Sequence, residues 1–94
     1  MLSKIPINLE KVEKKNIDTE ILRAAIIAEL DAVNLYEQMA SLTEDKNLKA
    51  ILMDVAKEEK THVGEFQTLL LNRDKQQTEE LKAGKEEIKE EVGE

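Results

Sequence analysis

Two long helix-forming stretches separated by only three residues constrain this chain more than any other feature. Residues 19–42 contain no glycine or proline, and residues 46–72 contain a single glycine, Gly64. Between them, Thr43-Glu44-Asp45 reads as a turn followed by a helix cap. A connection this short turns the chain back on itself, so the spacing predicts an antiparallel helical hairpin.

Each stretch carries an apolar seam with alternating spacings of four and three. In the first the seam is Leu22, Ile26, Glu29, Val33, Tyr36, Ala40; in the second it is Leu48, Leu52, Val55, Glu59, His62, Phe66, Leu69. Such spacing puts each set on one helical face. Glu29, Glu59 and His62 therefore occupy positions where the pattern calls for apolar residues. The first stretch has a second stripe, Ala25, Ala28, Ala32, Leu35, Met39 and Leu42, and a face this wide implies contacts on two sides.

The three polar residues also fall at one height. Glu29 lies about 15 residues before the turn, and Glu59 and His62 roughly 15 and 17 after it. At about 1.5 Å per residue all three sit some 20–25 Å from the turn. Glu59-Lys60-Thr61-His62 is a Glu-x-x-His, whose spacing sets both side chains on adjacent turns of one face. A dinuclear carboxylate site in a four-helix bundle takes a Glu from each of two helices and a Glu-x-x-His from each of the other two. This chain has one of each and a single histidine, so one copy supplies half a site.

The plainer readings are that His62 is a hydrogen-bonded interior histidine and that Glu29 is a rim charge at an interface. Against them stands the cost of an ionised carboxylate in an apolar seam without a partner or a metal. Doubled by two-fold symmetry, the set holds four carboxylates and two neutral imidazoles, whose charge two divalent irons balance. Hard oxygen and imidazole ligands suit iron or manganese. Tyr36, two turns from Glu29, reads first as a core residue whose hydroxyl needs a partner.

Composition closes off other classes. The chain has 94 residues, enough for one small domain; aromatics are 2% and charged residues 37%, which gives a thin aliphatic core and favours association. The net charge of -7 speaks against nucleic acid as a partner. The absence of cysteine excludes disulfides, iron–sulfur clusters and thiolate zinc sites. No segment resembles a signal peptide, and no apolar run approaches the roughly 20 residues of a membrane span. A cytoplasmic protein without a membrane partner is the expectation. The fold class expected is all-α: residues 1–16 a flexible N-terminal arm; residues 17–84 a hairpin with a short third helix over about 76–83, ended by Gly84; residues 85–94 a charged tail, weakly helical or disordered. The hairpin is expected to dimerise into a four-helix bundle.

The run Ala28-Glu29-Leu30-Asp31-Ala32-Val33-Asn34-Leu35-Tyr36-Glu37-Gln38, followed by Glu58-Glu59-Lys60-Thr61-His62, closely resembles the encapsulated ferritins, short ferritin-like proteins housed in encapsulin nanocompartments. The resemblance covers about residues 19–84. It implies a ferroxidase whose di-iron centre, cycling between Fe2+ and Fe3+, forms between two subunits. It also implies homodimers that assemble into an annular decamer, and an encapsulin shell protein as partner. Carried over, the ligands are Glu29, Glu59 and His62 from each chain, with Tyr36 matching a family tyrosine near the centre. Some members have acidic residues at the positions of both Ala28 and Asp31, forming a secondary metal site; here only Asp31 remains to ligate. A family tryptophan is replaced by Leu35. No short apolar targeting peptide of the kind expected in a cargo follows Gly84, which is consistent with a piece of a longer chain or a fusion to the shell protein. Two rivals stay open from the residues: another di-metal carboxylate enzyme such as a rubrerythrin-like peroxidase, disfavoured by the lack of cysteines, and a non-catalytic helical assembly module in which the three polar residues set register.

Overall fold

The computed structural model describes residues 8–94. Three helices account for most of them: α1 (Ile17–Leu42), α2 (Lys46–Arg73) and α3 (Lys75–Val92). Of the arm expected over residues 1–16, residues 1–7 lie outside the described ones. The remainder forms two 3-10 turns, Leu9–Lys11 and Lys14–Asn16, both lying against α1. The second turn leads straight into α1, so the helix starts at Ile17 rather than Thr19. Asn16 holds the N-cap position without a side-chain capping bond.

The turn is built as the three residues predict. The Thr43 N–H donates to the Met39 carbonyl at 3.2 Å and closes α1. Thr43 Oγ1 accepts from the Asp45 N–H at 3.1 Å. Asp45 Oδ1 then accepts from the N–H groups of Asn47 and Leu48, at 2.9 and 3.0 Å, and satisfies two donors that the start of α2 leaves without intrahelical partners. The tight reversal sets α1 and α2 side by side along their lengths.

The core between them is thin. The buried hydrophobics are Leu22, Val33 and Ala40 from α1 and Ala56 and Leu70 from α2. The α1 seam is the one the spacing predicts. The α2 seam is shifted: Ala56 and Leu70 are buried, whereas Leu48 and Leu69 are 49% and 45% exposed. The inward column is Leu52, Ala56, Glu59, Val63, Phe66, Leu70, and Leu48, Val55, His62 and Leu69 line its edge. Both columns repeat at heptad spacing, so periodicity alone does not say which one meets α1. Small side chains decide it: Ala40 and Ala56, 3% and 1% exposed, let the two backbones approach.

The third helix corrects the expected domain limits. It does not end at Gly84 but runs on to Val92, through the segment expected as a weak or disordered tail. A mid-helix glycine costs only about 1 kcal/mol relative to alanine, and the flanking Glu and Lys residues are good helix formers. The stop is the next glycine: Gly93 adopts φ 75°, a left-handed cap that glycine takes without steric cost, and its N–H donates to the Lys89 carbonyl at 3.0 Å. No residue of α3 is buried. No helix among the described residues is long and apolar enough to cross a membrane.

A Cβ added at Gly84 would meet nothing within 4 Å. Gly84→Ala should therefore firm α3 without repacking, slowing amide exchange in residues 75–92 by up to about five-fold. Unchanged exchange would mean that α3 exchanges through local openings that leave the turn at residue 84 intact.

Candidate metal centre

Glu29 comes from the middle of α1, and Glu59 and His62 from adjacent turns of α2. Antiparallel packing brings them level, as the residue counts from the turn require. His62 Nδ1 lies 3.4 Å from Glu29 Oε2 and 3.5 Å from Glu59 Oε2. One ligand atom from each of the three residues falls within 4.8 Å of the others. Oxygen and nitrogen ligands bound at about 2.0–2.2 Å to a first-row divalent metal stand roughly 3–4.4 Å apart, so only a small inward movement separates this cluster from a coordination triangle.

The electrostatics favour a cation. Glu29 and Glu59 have side-chain exposures of 20% and 18%, and the ion-pair partner of each among the described residues is the His62 imidazole. No lysine or arginine there pairs with either of them. Two half-buried carboxylates beside one imidazole make a hard, anionic donor set with places left open for further ligands. His62 is more open, at 43%, because it stands on the edge column of α2 rather than in the inward one. The cluster therefore sits at the margin of the hairpin, with one side uncovered.

The other candidates are placed differently. Asp31 is half-buried and is not a member of the cluster. Two residues past Glu29, it is rotated by about 200° around the helix, which takes it off the Glu29 face. Tyr36, also half-buried, follows Glu29 by seven residues and so shares its face about 10 Å further along α1. An ion pair that the sequence did not single out lies beside them: Lys60 Nζ is 3.3 Å from Glu37 Oε2 and ties α2 to α1 one residue from both Glu59 and Tyr36. Opposite charges flanking a seam are too common a pattern to identify it in advance.

Residues 5–84 match the EncFtn-like family. The chain belongs to that family. It is 62% identical over 87 residues to a ferritin-like-encapsulin shell fusion protein of Pyrococcus furiosus, a match covering 93% of this chain and 25% of that protein. It is 39% identical over 74 residues to the encapsulin nanocompartment cargo protein EncC of Myxococcus xanthus, covering 76% of this chain and 57% of the relative. The chain thus spans a quarter of the first relative's length and just over half of the second's. Among solved structures, the encapsulated ferritin domain from Pyrococcus furiosus matches with a TM-score of 0.86 and 59% identity, over all of this chain and 98% of that one. The all-α architecture, with its α1–α2 hairpin and C-terminal helix, is therefore the architecture of an encapsulated ferritin domain.

Substitution separates the roles within the cluster. His62→Ala removes the imidazole from the cluster and should weaken binding of a divalent metal by more than about 100-fold. Glu29→Gln and Glu59→Gln each remove one of two neighbouring negative charges, so each should raise the metal-free melting temperature while abolishing tight metal binding. Metal titration and metal-free thermal melts check both. A lower metal-free melting temperature in both Gln variants would show that the carboxylates are already satisfied without a cation.

Proposed function

We propose that this chain is a ferroxidase domain that oxidises Fe(II) to Fe(III) at a di-iron centre completed between two subunits. One observation carries the reading. Glu29, Glu59 and His62 converge at the uncovered margin of a hairpin, and one chain supplies only half of the ligand set that a dinuclear carboxylate site uses. Membership of the EncFtn-like family supports it.

The roles follow from the donor set. In a two-fold dimer, the Glu29 and Glu59 carboxylates and the His62 imidazole of each chain would together hold two irons. Four carboxylates cancel the charge of two Fe(II) ions and favour loss of one electron from each, because the more highly charged Fe(III) product is bound more strongly by the same anions. Dioxygen is the proposed acceptor of those electrons. Tyr36 shares the Glu29 face about 10 Å further along α1. Asp31, off that face, is proposed as an outer cation contact on the approach.

The shape supports a partner subunit. The surface of 7596 Å² is roughly 2,000 Å² more than a compact chain of this mass exposes. That excess is more than twice the roughly 800 Å² that one partner buries in a standard interface. Dimers of this kind are proposed to close into an annular decamer. The named relatives are a shell fusion and a nanocompartment cargo, so the proposed setting is the cytoplasmic encapsulin nanocompartment, with the shell protein as partner and store for the oxidised iron.

Native mass spectrometry with and without Fe(II), paired with a ferrous oxidation assay, tests the centre. The expected result is two irons per dimer, turnover abolished in Glu29→Gln and Glu59→Gln, and near-native metal binding in Tyr36→Phe. Iron located wholly within one protomer would sink the intersubunit centre. Iron-independent assembly with no oxidation would favour a non-catalytic assembly module.

Metal and assembly are linked in the same picture. Empty, the four carboxylates repel; filled, they hold the dimer together. Sedimentation at fixed protein concentration should move to larger species as Fe(II) is added. A distribution that does not change would remove metal-driven assembly.

A further inference from the structure

The junction between α2 and α3 is a single residue, Asp74, with φ -117° and ψ 89°. It serves both helices. Its N–H donates to the Leu70 carbonyl at 2.8 Å and closes α2. Its Oδ1 accepts from the Gln77 N–H at 2.9 Å and caps α3. Its second oxygen, Oδ2, accepts from Arg23 Nη2 at 2.8 Å, which reaches across from α1 and is 51 residues away in sequence. The Asp74 side chain is only 17% exposed in this arrangement.

Little else steers α3. Its backbone runs close to the hairpin only where it leaves α2 and nowhere approaches the backbone of α1. None of its residues is buried. The Thr78 hydroxyl donates to the carbonyls of Leu71 and Asp74, at 3.1 and 3.3 Å, and stitches the first turn of α3 to the end of α2. Arg23–Asp74 is the one side-chain bond among those described that ties the junction to α1. A helix of 18 residues, about 27 Å long, thus departs from one backbone joint held by one cross-strut.

We propose that Arg23 and Asp74 form a clasp that fixes the direction in which α3 leaves the hairpin, and that Asp74 caps α3 and aims it with different oxygens of the same carboxylate. The clasp decides where the exposed apolar positions Leu81, Ile88 and Val92 are presented. The two functions are separable because capping needs only an acceptor oxygen, which asparagine also offers. Aiming needs the charge that the guanidinium reads. The Asp74 carboxyl is held below the ordinary aspartate range, first by the Gln77 N–H and then by Arg23, so the charged form that the clasp requires is the favoured one.

The absence of native cysteine permits a direct test. Spin labels attached through Asn34→Cys on α1 and Lys85→Cys on α3 report the angle between hairpin and α3. Labelled chains are diluted with unlabelled protein to suppress distances between subunits. Intact protein should give one narrow distance distribution. Arg23→Met and Asp74→Asn should each shift and broaden it, and the double variant should go no further, since both remove the same interaction. Amide exchange across residues 75–92 should stay as in the parent, because the cap survives in both. Distributions as narrow as the parent's would overturn the proposal. So would loss of α3 protection in Arg23→Met, which would show the pair holding the helix together rather than aiming it.

Discussion

Two carboxylates side by side at the margin of an apolar seam need positive charge, and this hairpin does not supply enough of it. Glu29 and Glu59 meet at His62, whose ring lies within 3.5 Å of both, and no lysine or arginine among the described residues pairs with either. A buried acid normally survives by pairing or by binding a metal. The nearest lysine that bridges the helices, Lys60, is taken up by Glu37. The charge deficit at the cluster and the unfinished surface of the hairpin are therefore parts of one problem, and the proposed pairing of two copies around cations would answer both.

The packing agrees with that view. A two-helix layer has one face in contact and the other bare, whereas a stable domain closes at least two layers around a core. Among the described residues only Leu22, Val33, Ala40, Ala56 and Leu70 are buried hydrophobics, and none of the larger side chains there is wholly enclosed. The radius of gyration, 16.6 Å, compares with about 12 Å for a compact domain of this length. The edge column of α2 carries Leu69 about 10 Å and Leu48 about 21 Å from His62 along the helix, each about half exposed. Uncovered leucine on the same column as His62 suits burial against a second hairpin.

Family membership and physical reading bear on different levels. The EncFtn-like match and the fold shared with the Pyrococcus domain establish what kind of structure this is. The carboxylate–histidine cluster states which residues have the chemistry to act, and it does so from geometry internal to this chain.

The sequence by itself determined the hairpin, its turn and the composition of the cluster. Helix period, the Thr43-Glu44-Asp45 break and residue counting are local facts, and a rise of about 1.5 Å per residue converts them into a common height for Glu29, Glu59 and His62. Tertiary structure decided what local patterns leave degenerate. Two columns of α2 share one heptad repeat, and only the close approach at Ala40 and Ala56 selects the inner column and sets His62 on the rim. Two glycines, Gly84 and Gly93, offer the same stop signal. The helix passes the first and ends at the second, where the backbone takes up the left-handed turn. The Arg23–Asp74 bond joins residues 51 positions apart, a separation over which no sequence period operates, so it appears only once the helices are packed.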